Sequence, residues 1–290
     1  MFKKRKTAAE NPFTRNMLPH TRRALWADVV KLNYLQLVIM GFALFVFAVP
    51  LVMNMLATDA YIATLQGQGN AVLTEVAVAQ VTSSFVSIPL LAILAVGLSG
   101  LLRICRQYAW GDVVSLGHDF WLGIKQNIGQ TVALMICTGA VYALCVYVDS
   151  LAAFNPQSNM HYVTAACSVI ATVFLMPIGA YMIVCVAVYN NSFWQNFIQA
   201  FFLYMKAPIK TLLGVLCFGG VFALYLIPNT VLRFALTVVL LLGMPFLLLG
   251  WFLFTYNQLD KFVNRDKHPQ LVNKGLYLEG DDSDGEDEDL

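Results

Sequence analysis

Six runs of apolar residues, near 33–56, 84–102, 130–149, 162–188, 211–228 and 231–256, limit what this chain can become. A helix needs about 20 consecutive apolar residues to cross a hydrocarbon layer of roughly 30 Å. Backbone amides and carbonyls find no water there, so an uncharged segment of that length is stable only as a helix that satisfies its own hydrogen bonds. Each run has the length, and none carries an ionisable residue in its middle. The expected fold class is therefore all-α: a polytopic transmembrane helical bundle of about six spans. Merging the last two runs into one re-entrant structure gives five spans instead. That alternative is weaker, because residues 209–256 hold enough apolar side chains for two crossings joined by a hairpin at Pro228-Asn229. Composition agrees: 59% of the residues are hydrophobic and 12% charged, against about 25% charged in a soluble domain.

Charge then assigns sides. Lys and Arg accumulate in cytoplasmic segments. With six spans, the segments 1–32, 103–129, 189–210 and 257–290 hold 17 of the 18 Lys and Arg residues, and Arg233 alone falls on the other side. This predicts a multi-pass protein of the plasma membrane with both termini cytoplasmic. The net charge of +1 conceals the asymmetry, because eight of the last twelve residues are acidic and the rest of the chain stands at +9 without them. The balance gives no reason to expect a nucleic-acid partner. Three regions follow. Residues 1–32 form a cytoplasmic segment, within which 20–32 read as an interfacial helix with Leu25, Trp26, Val29 and Val30 on one side and the charges elsewhere. Residues 33–256 form the membrane domain. Residues 257–290 form a cytoplasmic tail, acidic and disordered from 279. No cleavable signal follows the basic start Lys3-Lys-Arg-Lys6. Trp26, Trp110, Trp121, Trp194 and Trp251 all fall near the inner boundary, where an indole is favoured.

Two cytoplasmic elbows interrupt the apolar pattern. A short internal similarity at an offset of 80 to 81 residues pairs Phe120 with Phe201 and Lys125 with Lys206, and suggests parallel repeats over 84–149 and 162–228. The first elbow is densely charged for so apolar a chain: Arg103, Arg106, Asp112, Asp119 and Lys125, with Phe120 and Asn127 among them. The second, Asn190 to Pro208, is mostly neutral and ends in a proline suited to starting a helix. Arg103, Arg106, Asp112, Asp119, Phe120, Lys125, Asn127 and Lys206 are the expected set for partner contact or for holding the elbows together.

The run Gly97-Leu-Ser-Gly100-Leu-Leu-Arg103 with Arg106, Gly111-Asp112, Asp119-Phe120 and Lys125-Gln-Asn127, joined by Phe201-Phe202 and by Pro245-Phe-Leu to Asn257, resembles the YesL-like family of bacterial integral membrane proteins. The resemblance covers about 24–264, and its specific part is Asp119-Phe120-x4-Lys125-x-Asn127. It implies a small polytopic protein of poorly defined activity that keeps company with carbohydrate uptake, so that its partners, besides the lipid bilayer, would be subunits of a carbohydrate ABC transporter. The longer loop at 57–80 and the acidic tail depart from the family pattern.

Catalytic signatures are missing. No two of the four His residues have metal-ligand spacing, and neither a phosphate-binding Gly-x4-Gly-Lys loop nor a Gly-x-Ser-x-Gly elbow occurs. No cofactor, metal or catalytic residue is expected, and an intramembrane enzyme ranks last. The six Cys residues lie in or beside spans and read as small buried hydrophobes, with Cys105, between Arg103 and Arg106, as an alternative acylation site. The leading expectation is a non-enzymatic membrane protein that assists or regulates solute uptake through its elbows. The alternative is a transporter in its own right, with Asn33, Gln36, Tyr142, Tyr147 and Tyr181 lining a neutral polar cavity.

Overall fold

In a computed structural model of the chain, which describes residues 19–67, 73–154, 159–220 and 230–276, the apolar runs are helices, and most extend past the lengths expected of them. The long ones are α1 (Arg22–Gly67), α2 (Leu73–Trp110), α3 (Leu116–Phe154), α4 (Met160–Val188) and α7 (Thr230–Leu259). Two shorter helices, α5 (Phe193–Lys206) and α6 (Pro208–Gly219), lie between α4 and α7. The five long helices are each apolar enough to cross a membrane, and α5 with α6 forms a further candidate bent by 104°. Among the described residues there is no strand. The chain is thus an all-α, polytopic bundle, as its hydropathy predicts. The fifth apolar run, 211–228, is described only as far as residue 220.

Three local departures have physical causes. The expected interfacial helix at 20–32 and the first span are one continuous α1, broken only where Asn33 leaves helical geometry at φ −122°, ψ 21°. Residues 57–66, read as loop, continue α1 because nothing in them breaks a helix before Gly67. In α4 the backbone widens into a π-turn at Ala171–Leu175, just ahead of Pro177, a common accommodation of strain in a helix. Pro177 has no N–H for the carbonyl four residues back, that of Val173. The Tyr204 hydroxyl of α5 donates to it instead, at 2.7 Å. Tyr204→Phe should therefore lower stability by about 1 kcal/mol, seen as a lower thermal midpoint in detergent; an unchanged midpoint would mean the carbonyl has another donor.

Glycines set the closest approaches. A Cβ on Gly41 would lie 2.7 Å from the Leu242 carbonyl oxygen of α7, and one on Gly97 would meet the Phe47 ring at 2.7 Å. Backbones pack this closely in membranes where small residues face a neighbouring helix. Packing is uneven along the bundle. Leu101, Leu102, Ile104, Val184, Cys185 and Leu259 are fully buried near one end, whereas the first four turns of α4 bury no residue. The well-packed end also carries every described Lys and Arg except Arg233, and is called the basic end below.

Candidate functional site at the basic end

The first elbow is a helical hairpin. α2 stops at Trp110, Gly111 reverses the chain at φ +70°, and α3 begins at Leu116. Asp119 fixes the start of α3: its Oδ2 accepts from the Ser115 amide at 2.7 Å. Its other oxygen lies 3.6 Å from Arg103 Nε, and Arg103 also donates to Gln126 Oε1 at 2.6 Å. Arg106 turns toward α4, donating to the Ala187 carbonyl at 2.7 Å, with its guanidinium 5.0 Å from the Trp110 ring centroid. Ala187 is in the last turn of α4, whose carbonyls have no partner within the helix, so a cation there is favourable twice over. Phe120 fills the notch left by Gly100, where a Cβ would stand 2.5 Å from its ring.

Of the expected site residues, the structure brings Arg103, Arg106, Asp119 and Phe120 together as internal braces. Asn127 is buried further along α3, its Nδ2 without a partner. Asp112 and Lys125 are exposed, the Lys125 ammonium 5.6 Å from the Trp121 ring centroid. Lys206 lies apart, at the end of α5, 5.2 Å from the centroid of Phe202. Each lysine thus sits over the aromatic residue four positions before it, yet Lys125 lies within a continuous helix and Lys206 at a helix end.

The second elbow is built from amides. Ser192 caps α5 in a reciprocal pair with Gln195. Gln130 of α3 donates to the Asn191 carbonyl at 2.6 Å and accepts from Asn196 at 2.8 Å. Ala207 leaves helical geometry and Pro208 opens α6, which produces the sharp bend. α5 buries Asn196, Ala200, Leu203 and Tyr204, and exposes Trp194, Ile198 and Met205.

One buried cluster went unread in the sequence. Arg22 donates to Asp260 Oδ2 at 2.9 Å, to the Ala109 carbonyl at 3.0 Å and to the Lys274 carbonyl at 2.8 Å, with its guanidinium 4.4 Å from the Tyr256 ring centroid. Asp260 Oδ1 accepts from Asn264, whose own oxygen accepts from the Tyr189 hydroxyl. Burial, followed by Cys185, Tyr256 and Asp260 nearby, pushes the Tyr189 phenol well above its ordinary range, so it stays a protonated donor. The segment after α7 lies against the end of α2, with Lys274 Nζ 3.7 Å from the Trp110 ring centroid. The expectation that the charges of 20–32 avoid the apolar side is corrected here. Arg22 precedes Leu25 and Val29 by three and seven residues, which places it on their face, and all three are buried.

The tryptophans have a role beyond the expected boundary position, and two of the cysteines differ from expectation. Trp110 donates to Tyr256, Trp251 to the Ala180 carbonyl and Trp26 to the Phe246 carbonyl, so three of the five indoles tie helices together. Cys105 is fully buried, which removes it as an acylation site. Cys137 and Cys217 are exposed on apolar helices.

The five residues expected to line one neutral cavity are distributed. Asn33 and Gln36 share a cavity of about 280 Å³ with Tyr108 and Asp112, and Gln36 accepts from the Tyr108 hydroxyl. Tyr142 lines another, at the opposite end, with Asp59 and Arg233. Tyr147 is exposed on α3, and Tyr181 is fully buried, sharing a hydrogen bond with Thr211 at 2.8 Å. Among the described residues no three His, Cys, Asp or Glu side chains stand close enough to hold a metal ion. No family model, curated protein or solved structure matches the chain.

Proposed function

We propose that this chain is a non-enzymatic integral protein of the plasma membrane that assists or regulates solute uptake by docking a membrane partner on its α2–α3 hairpin. The observation that carries this reading is how the hairpin divides its side chains. Arg103, Arg106 and Asp119 are engaged internally and make the hairpin stiff. Val113, 82% exposed, and Trp121, 59% exposed, lie outside with Asp112 and Lys125. A preorganised aromatic anchor flanked by charges is the composition of a protein contact site. Carbohydrate as the solute, and an ABC transporter as the partner, rest on the YesL-like resemblance of the Asp119-Phe120-x4-Lys125-x-Asn127 segment.

The topology we propose has six crossings with both termini cytoplasmic. Two observations support it. Arg22 near the start of α1 and Lys274 beyond α7 are in hydrogen-bond contact, and a chain whose two ends meet on one side of a bilayer crosses it an even number of times. The apolar run 211–228, which begins in α6, provides the additional crossing, with α5 left on the cytoplasmic side, and the excess of Lys and Arg gives the cytoplasmic face.

Isolation in mild detergent followed by mass spectrometry tests the partner. Membrane subunits of an uptake system should accompany the protein, and Trp121→Ala combined with Lys125→Ala should reduce their recovery about fivefold. Both side chains are exposed, so the thermal midpoint should not move. Recovery of the protein alone, from cells that contain the uptake system, sinks the reading.

A further inference from the structure

At the end of the bundle opposite the Arg22–Asp260 pair, α1, α2, α3 and α7 surround a cavity of about 370 Å³. Three charged side chains reach its wall from three helices: Asp59 from α1, Asp149 from α3 and Arg233 from α7. Arg233 is committed to Asp59, with Nη1 2.8 Å from Oδ2. No ion pair holds Asp149 among the described residues. The connecting segments bring no further fixed cation, because Lys and Arg are absent from 32–102 once Leu32 is passed, from 126–205 and from 211–232. The cavity therefore carries one carboxylate in excess.

We infer that this cavity is a binding site for a small organic monocation, an amine or a quaternary ammonium. Asp149 supplies the counter-charge, Tyr142 an aromatic surface of the kind that attracts cations, and Gln80 an amide for a polar substituent. Charge excludes the other classes. An anion would meet two carboxylates and a guanidinium already paired. A neutral molecule would cover Asp149 without compensating it, and a carboxylate taken from water needs a partner. A calcium ion takes six to eight oxygen ligands at about 2.3–2.6 Å, and among the described residues no three His, Cys, Asp or Glu side chains stand close enough to hold a metal ion of any kind. The walls between the charges, Val52, Met55, Leu56 and Val146, suit methyl and methylene groups. A volume of 370 Å³ is at the small end of the range for ligand sites, about 300–1,000 Å³.

Calorimetric titration of the full-length protein in a maltoside detergent provides the test, with choline, ethanolamine and 3,3-dimethyl-1-butanol, the neutral isostere of choline, as probes. At least one of the two cations, choline and ethanolamine, should bind, and the isostere should bind about tenfold more weakly than choline where choline binds. Asp149→Asn should weaken amine binding about tenfold, while Asp149→Glu retains most of it. Asp149 is exposed, so the thermal midpoint of the unliganded Asn variant should match the parent. Measurable binding of choline matched by equal binding of its isostere would overturn the inference. So would an Asn variant with undiminished affinity, or the absence of binding by both amines.

Discussion

Asp260→Ala destabilises the folded protein by about 3–5 kcal/mol, because it leaves a buried guanidinium without its counter-charge. Arg22 is 8% exposed and Asp260 7%. With the carboxylate gone, Arg22 keeps, among the described residues, the Ala109 and Lys274 carbonyls and the Tyr256 ring, and its Nε has no partner among them. Asn264 Nδ2 loses its acceptor in the same step, which leaves the amide held, among the described residues, only through its oxygen, the acceptor of the Tyr189 hydroxyl. The damage should start locally. Arg22 holds the segment after α7 through Lys274, so limited proteolysis should cut near residues 268–276 before the rest of the bundle opens. Thermal unfolding in detergent measures the global loss. The double variant Arg22→Met with Asp260→Leu separates the two contributions to that loss. Replacing a buried ion pair by apolar side chains of similar volume is often neutral or stabilising, so the double variant should recover most of what either single variant loses. If it is as unstable as Asp260→Ala, the penalty comes from packing and not from an uncompensated charge.

The difference between what the sequence disclosed and what it hid follows from the range of the interactions. The helices were legible because length and apolarity are local properties, and in a bilayer they leave the backbone no other choice. The hairpin was legible for a similar reason. Arg103, Arg106, Asp119 and Phe120 flank a single turn at Gly111, so closeness in sequence already implied closeness in space. Arg22 and Asp260 are 238 residues apart, and no local pattern pairs them. The periodicity did hold half the answer, since Arg22 lies on the face of Leu25 and Val29, a position where a charge needs a partner. The neutral cavity could not be assembled from sequence for a different reason. A Tyr or Asn in an apolar span serves equally well as a ligand contact or as an interhelical hydrogen bond. Tyr181 illustrates this by engaging Thr211, and Asn54 by donating to Ser83 and Ser87. The charged cavity at the other end had a clearer signal in Arg233, the one Lys or Arg outside the predicted cytoplasmic segments. Its partner is Asp59, in a stretch read as loop that α1 continues through.

Gly123→Ala and Gly129→Ala, six residues apart on the same helix, should move stability in opposite directions. Alanine gains about 1 kcal/mol over glycine inside a helix, and at Gly129, where a Cβ meets nothing within 4 Å, that gain stands alone. At Gly123 a Cβ would lie 2.7 Å from Arg103 Cβ, 2.9 Å from the Ser99 carbonyl oxygen and 3.0 Å from Gly100 Cα. None of these is the end of a flexible side chain, so α2 and α3 have to move apart. Overpacking of this kind costs about 1–3 kcal/mol, and the position is beside the contacts that stiffen the hairpin. Separating the helices lengthens the 3.6 Å approach of Arg103 to Asp119 and lifts Phe120 from its seat on Gly100. The consequence for function is specific. Gly123→Ala leaves Trp121 and Lys125 chemically intact but shifts the surface that presents them, so recovery of the partner should fall. Gly129→Ala should leave recovery unchanged while the thermal midpoint rises. Parallel measurement of midpoint and partner recovery on both variants decides the matter. If the two alanines behave alike, the close approach of α2 and α3 at Gly123 does not organise the hairpin; if Gly123→Ala lowers stability yet retains the partner, docking does not depend on the hairpin's stiffness.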